Sequence, residues 1–223
     1  MQAALQAALR RGILRPQGTR RMAKLYFRHG TMDSAKTLNL LAVAHNYRSQ
    51  GKRVLLLKPR LDDRFGVASI ASRAGLEAHA DLLLDPDTEL DPEVFAGVDC
   101  VLVDEAQFMS ARLIEQLRVL TYDGPPVICY GLRTDFRTEL FEGSRRLFEL
   151  ADSIEEVKVT CQFCNRKAIF NLRVGGRGEA VTEGAQIQLG GSESYAPACF
   201  GCYNARTGLF APLSRGRRAA ARR

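Results

Sequence analysis

Short unbroken apolar runs alternate along this chain with stretches of helical period. Lys24-Leu25-Tyr26-Phe27-Arg28 reads as a first strand. Arg53-Val54-Leu55-Leu56-Leu57-Lys58, closed by Pro59, reads as a second, and Cys100-Val101-Leu102-Val103 and Val127-Ile128-Cys129-Tyr130-Gly131 as two more. Runs this short, bounded by turn residues, fit strands buried on both faces of a parallel sheet. Between them, Lys36–Ser49 puts Leu40, Leu41 and Ala44 on one helical face and ends near Gly51. Ser110–Leu120 carries Leu113, Leu117 and Leu120 in register behind an N-cap at Ser110, and Ser144–Ala151 has the same period. Strand, loop, helix and strand from Lys24 to Lys58 form a βαβ unit. The pattern predicts an α/β fold with a P-loop NTPase-like parallel sheet flanked by helices.

Two stretches break the pattern. Residues 60–80 mix charged and small residues and read as a mobile loop or a solvated turn. From Ile154 the chain turns β-rich: 155–160, 168–174 and 185–189 are strand-like, with turns at 175–178 and 190–194. This predicts a small module of about fifty residues after the sheet.

The chain has 223 residues, 46% apolar, and a formal charge of +7. Residues 1–22 hold five arginines and no acid, and residues 215–223 hold five more and no acid. Removing these ten charges leaves about −3 for residues 23–214, so the basic character belongs to the tails. A body of that charge argues against nucleic acid as a partner. No apolar run is long enough to span a bilayer. The expected setting is cytoplasmic, with the tails disordered and Met1 not necessarily the native start.

Of six cysteines, Cys100 and Cys129 stand alone in apolar runs and read as small buried residues. Cys161 and Cys164 form one C-x-x-C pair, and Cys199 and Cys202 another, with 34 residues between. Two such pairs supply the four soft ligands of a closed tetrahedral structural Zn²⁺ site, with the interval looped out. Disulfides are the competing reading, disfavoured in a reducing compartment.

The loop after the first strand, His29-Gly30-Thr31-Met32-Asp33-Ser34-Ala35-Lys36-Thr37, compares with the phosphate-binding pattern G-x-x-x-x-G-K-[ST]. Gly30, Lys36 and Thr37 match, and Ala35 replaces the second glycine. Ala35 keeps its N–H but penalises a positive φ, and Asp33 puts an acid where phosphate is expected. Asp104 and Glu105 follow the third strand, at the end where α/β sheets bind ligands. Asp104 has the place of a magnesium-holding acid, which leaves Glu105 to take a proton. Arg64 is a cation for the developing charge. A solvated acidic turn is the bland alternative for the acid pair, and none of His29, His45 and His79 has an evident partner.

The run Leu25–Thr37, Asp104-Glu105-Ala106-Gln107-Phe108, Tyr130–Phe136 and the two cysteine pairs closely resemble the type II, cytosolic-type, zinc-containing thymidine kinases, from about Lys24 to Tyr203. The resemblance implies transfer of the γ-phosphate of ATP to the 5′-hydroxyl of thymidine, with deoxyuridine as a second acceptor. It implies Glu105 as catalytic base. It places Gly30–Thr37, that is Gly30, Thr31, Met32, Asp33, Ser34, Ala35, Lys36 and Thr37, with Asp62, Arg64, Asp104, Ala106 and Gln107 at ATP, and Thr37 and Asp104 at Mg²⁺. Met32, Phe108, Leu132 and Phe136 would surround the thymine. Gln186, Ile187, Gln188, Leu189, Gly190 and Tyr195 would form a lasso closing over the nucleoside, anchored by Zn²⁺ on Cys161, Cys164, Cys199 and Cys202. Feedback by thymidine triphosphate and a homotetramer are further implications. The domains are then a basic extension (1–22), a P-loop α/β kinase domain (23–153), a zinc-binding lasso domain (154–204) and an Arg-rich tail (205–223). A catalytically weakened nucleotide-binding homologue and a zinc-ribbon nucleic-acid-binding ATPase are the alternatives.

Overall fold

The computed structural model describes residues 22–63, 66–187 and 195–211. Six strands form one sheet: β1 (Leu25–His29), β2 (Val54–Pro59), β5 (Leu82–Leu84), β6 (Cys100–Val103), β7 (Val127–Gly131) and β8 (Ser153–Glu156). Their order is β5-β2-β6-β7-β1-β8, and every neighbouring pair is parallel. All six residues of β2, all four of β6 and all five of β7 are buried, as continuous apolar strands in a two-sided sheet require.

Alternation divides each strand between two cores. Val101 and Val103 face one with Leu25, Phe27, Leu55 and Leu57, covered by α2 (Ala111–Asp123) and α3 (Glu142–Leu150). Cys100 and Leu102 face the other with Val54, Leu56 and Tyr130, covered by Leu40, Leu41 and Ala44 of α1 (Lys36–Ser49). The Ser110 side chain accepts the Leu113 N–H at 3.3 Å, so the expected N-cap of α2 is present.

Two expectations change. The stretch 60–80 holds an antiparallel hairpin, β3 (Ser69–Ala71) with β4 (Glu77–His79). Its Ile70 is buried in the α1-side core, and the buried Lys58 ammonium donates to Ser69 O at 2.7 Å, so tertiary docking sets it where pattern does not. The strand read at 155–160 lies earlier, at Ser153–Glu156, and is the edge of the main sheet. Beyond it, β9 (Phe170–Arg173) and β10 (Tyr195–Ala198) pair antiparallel, and α4 (Phe200–Thr207) follows. Ala185–Ile187 forms no strand, and the rest of that predicted strand lies outside the described residues, as do both tails except Met22 and residues 205–211.

Candidate active site and cysteine cluster

The site grows from the carboxyl ends of β1 and β6. After β1 the chain bends sharply at Gly30, whose N–H donates to Gly131 O at 3.2 Å. A Cβ at Gly30 would lie 2.3 Å from Ser34 Oγ and 2.6 Å from Val157 O, so no larger residue fits this turn. The loop then closes on itself. Ser34 Oγ donates to Thr31 O at 2.9 Å, and Lys36 Nζ donates to Thr31 O at 2.6 Å and to Ser34 Oγ at 3.3 Å. Lys36 is thus buried within the loop.

Asp33 (φ 61°) and Ala35 (φ 60°) are both left-handed. Left-handed residues in such a loop can turn N–H groups toward a bound anion, as in anion nests. Ala35 is also the N-cap of α1 and offers no side-chain cap, and the first turn carries no acid. The helix N-terminus is therefore left for an anion. The substitution noted in the sequence has a real conformational cost here, of about 1 kcal/mol for a non-glycine residue in this region. The acid at Asp33 is answered by an ion pair with Arg73, carried on the segment joining β3 and β4. Burial opposes the charge on Arg73, and the Glu105 carboxylate favours it.

At the end of β6 the two acids diverge. Asp104 is 6% exposed and accepts from Thr37 Oγ1 at 3.1 Å. This joins strand end and phosphate loop through oxygen donors, the chemistry hard divalent cations take. Burial, and then the charge of Glu105, push the Asp104 carboxyl up to about 7. Glu105 itself is left-handed (φ 48°, ψ 38°). Of the four non-glycine residues with positive φ among those described, Asp33, Ala35 and Glu105 lie in this site. Backbone strain of this kind costs ~1–3 kcal/mol and persists where surrounding structure imposes it. Gln107 braces the turn: its Nε2 donates to Glu105 Oε2 at 2.5 Å, while its Oε1 accepts from Leu132 N at 3.0 Å. The turn packs so closely on β7 that a Cβ at Gly131 would lie 2.8 Å from Gln107 Oε1. Gln107, placed with the nucleotide residues by the sequence, bridges Glu105 and the backbone of Leu132.

Asp62 is buried and paired with Lys58 Nζ at 3.1 Å. Lys58, 1% exposed, escaped the sequence reading because it looked like a strand end. Arg64 lies outside the described residues, as do Gln188, Leu189 and Gly190. Phe108 meets Phe141 edge-to-face at 5.8 Å. Leu132 and Phe136 are buried, and the guanidinium groups of Arg137 and Arg173 lie 5.7 and 5.1 Å from the Phe136 ring centre. Gln186 Nε2 donates to Asp135 Oδ2 at 3.3 Å, Ile187 is exposed, and Tyr195 begins β10 opposite Arg173. Ala106, fully buried, supports the turn below Glu105. His29 packs against Phe27 and Phe148, and burial pushes its pKa down.

The four paired cysteines come together, with all sulfurs within 4.8 Å of one another and Cys164 and Cys199 at 3.6 Å. Tetrahedral zinc with bonds of ~2.3 Å sets sulfur–sulfur edges near 3.8 Å, so the cluster is compatible with a zinc site. Burial disfavours thiolate at Cys161, but N–H groups of Cys199 and Phe163 outweigh it and hold that thiol at about 6, while the Cys199 side chain and then burial push Cys202 up to about 12. Cys100 and Cys129 are buried in the sheet as expected.

Comparison with known proteins follows these features. A family model described as "Thymidine kinase" matches residues 23–203. The thymidine kinase of Haemophilus influenzae (strain ATCC 51907 / DSM 11121 / KW20 / Rd) is 47% identical over 184 residues, covering 80% of this chain and 94% of that protein. That of Lactococcus lactis subsp. lactis (strain IL1403) is 46% identical over 188 residues, covering 80% and 95%. Among solved structures, Pif1 helicase from Candida albicans matches 68% of this chain and 38% of its own at 11% identity with a TM-score of 0.36, which adds nothing to the topology above. On the family match and these relatives, the chain belongs to the thymidine kinase family.

Proposed function

We propose that this protein transfers the γ-phosphate of ATP to the 5′-hydroxyl of thymidine, giving thymidine monophosphate, with Glu105 as general base. The observation that carries the mechanism is the junction at the end of β6. There Asp104 is tied to the phosphate loop through Thr37, while Glu105, one residue on, is turned away and held by Gln107. Adjacent carboxylates with different partners suit different tasks.

The chain's own groups divide the work. The nest between Asp33 and Ala35 and the open end of α1 bind phosphate, and Lys36 turns from Thr31 O to the phosphate oxygens. Thr37 and Asp104 would hold Mg²⁺, which when bound neutralises phosphate charge. Glu105 accepts the proton from the 5′-hydroxyl as the new P–O bond forms. Met32, Phe108, Leu132 and Phe136 exclude water around the base. The cysteine module, whose four thiols would hold Zn²⁺ as a structural cross-link, would bring Gln186–Gly190 and Tyr195 to the nucleoside, and Asp62 and Arg64 would complete the phosphate side. Feedback by thymidine triphosphate, a homotetramer, a cytoplasmic setting and acceptance of deoxyuridine belong to the same reading. No helix among the described residues is long and apolar enough to cross a membrane.

The left-handed Ala35 favours one second reading, a homologue with weakened ATP binding. The nucleic-acid ATPase has no comparable support, and the body's net charge of about −3 argues against it. ATP consumption measured with thymidine, with deoxycytidine and without nucleoside tests the proposal. Consumption stimulated by thymidine alone is expected. Equal consumption in all three overturns it, consumption that needs unusually high ATP selects the homologue with weakened ATP binding, and none at any ATP concentration shows that catalysis is lost.

A further inference from the structure

Asn171 lies on β9 of the cysteine module, yet its amide is engaged by the backbone of the α/β body. The residue is 3% exposed. Its Oδ1 accepts from the Met32 N–H at 2.8 Å, and its Nδ2 donates to Thr134 O at 2.9 Å. A backbone N–H only donates and a backbone carbonyl only accepts, so these partners fix which end of the amide faces which loop. Met32 belongs to the phosphate loop. Thr134 stands between Leu132 and Phe136, in the segment assigned to the base. Asn171, Gly30, Thr31 and Thr134 line one cleft where body and module meet.

We infer that Asn171 is a positioning residue that couples the donor and acceptor halves of the site, so that thymidine binding prepares the phosphate loop for ATP. The inference rests on the proposed pair of substrates. Neither hydrogen bond belongs to a strand or helix ladder; one holds the phosphate loop after β1, and the other holds the turn after β7 that the Thr134–Leu140 bridge closes. Whatever conformational freedom these two segments keep is lost when a ligand fixes them. Thymidine seated against Met32, Leu132 and Phe136 orders both partners of Asn171. A loop already held by one substrate costs less to order with the other, which is positive coupling without a large movement. The link is reciprocal, so ATP must tighten thymidine by the same factor. It also gives the cysteine module a task beyond the lid, because its β9 presents Asn171 to both loops.

The test uses the zinc-loaded full-length protein. The Kd of a non-hydrolysable ATP analogue is measured with and without saturating thymidine in wild type, Asn171→Ala and Asn171→Asp. In wild type thymidine should tighten the analogue roughly 5-fold or more. In Asn171→Ala this factor should fall toward one, whereas a merely structural residue would weaken both ligands and leave the factor intact. Asn171→Asp keeps an acceptor for Met32 but faces Thr134 O with a second acceptor, so thymidine affinity should fall more than analogue affinity. A wild-type coupling factor in zinc-loaded Asn171→Ala, or no coupling in an active wild type, overturns the inference. If the variants fail to load zinc, amide exchange at Ser34–Thr37 in wild type, beyond the residues set against the base, decides. Saturating thymidine alone must slow it several-fold, and no change overturns the inference. A wild type that leaves thymidine unphosphorylated instead removes the functional reading itself.

Discussion

The α/β body and the cysteine module hold polar groups in place by opposite means. The body has two apolar cores on one parallel sheet, and its reactive groups sit at strand ends that cannot move without disturbing those cores. Glu105 can therefore keep a left-handed backbone, and Asp104 can stay buried next to it. The module has a small core of Cys161, Ala168, Leu172, Ala196, Ala198, Cys199 and Tyr203 around one two-stranded ribbon. A ribbon with so little apolar surface is marginal by itself. Its four thiols supply the missing cross-links once a metal joins them. The contrast teaches where precision comes from in each half: packing around strained turns in the body, and in the module four clustered thiols compatible with a metal.

The largest expected effect breaks the body's side of the contrast. Glu105→Gln preserves shape and the contact with Gln107 but removes the base, so kcat should fall by roughly 10²- to 10⁴-fold while thymidine still binds. Steady-state turnover with calorimetric binding measures both, and near-normal kcat would sink the assignment.

Next comes the module. Removing zinc with a strong chelator should loosen the module while the sheet persists. The KM for thymidine should rise by at least roughly 10-fold, with a smaller change in the Kd of ATP measured without thymidine. Far-ultraviolet circular dichroism should keep most of its signal. Loss of the whole cooperative transition would show that the two regions do not differ as described.

Asp104→Asn sharpens the idea that the body tolerates strain for function. The Asp104 carboxyl is raised above its unfolded value of 3.8 to about 7, so the folded protein holds a proton that the unfolded chain releases. Stability without metal must therefore fall as pH climbs through that window. The asparagine variant should melt higher than wild type at pH 8 in metal-free buffer, with the gap closing toward pH 4, while losing turnover. A gap independent of pH would contradict the cause given for the shift.

The smallest effect is at Ala35→Gly. Relief of a left-handed alanine is worth about 1 kcal/mol, so the KM for ATP should fall by up to roughly 5-fold or activity should rise. No change in either would mean that the loop bears no cost at this position.

Much of this was legible in the sequence because burial on both sheet faces leaves unbroken apolar runs. β1, β2, β6 and β7 and the helices after β1 and β6 lie close to their expected bounds. The cysteine spacing predicted a cluster that the structure contains. What pattern could not carry is what tertiary contact decides. The β3–β4 hairpin has exposed Glu77 and His79 and gains its register from Ile70 and Lys58. α4 is short and hidden behind Cys199. The turn of Glu105 depends on Gln107 reaching Leu132 across the sheet, and Asn171 looks like any polar strand residue until its two partners are seen.

The most direct measurement of the central claim is the product itself. The zinc-loaded protein is incubated with ATP, Mg²⁺ and thymidine, and in parallel with 5′-deoxythymidine, which keeps the base but lacks the acceptor oxygen. The account predicts one thymidine 5′-monophosphate formed per ATP consumed in the first reaction and no ATP consumption above the nucleoside-free rate in the second. ATP consumption that proceeds equally with 5′-deoxythymidine, or that yields no phosphorylated nucleoside, would contradict it.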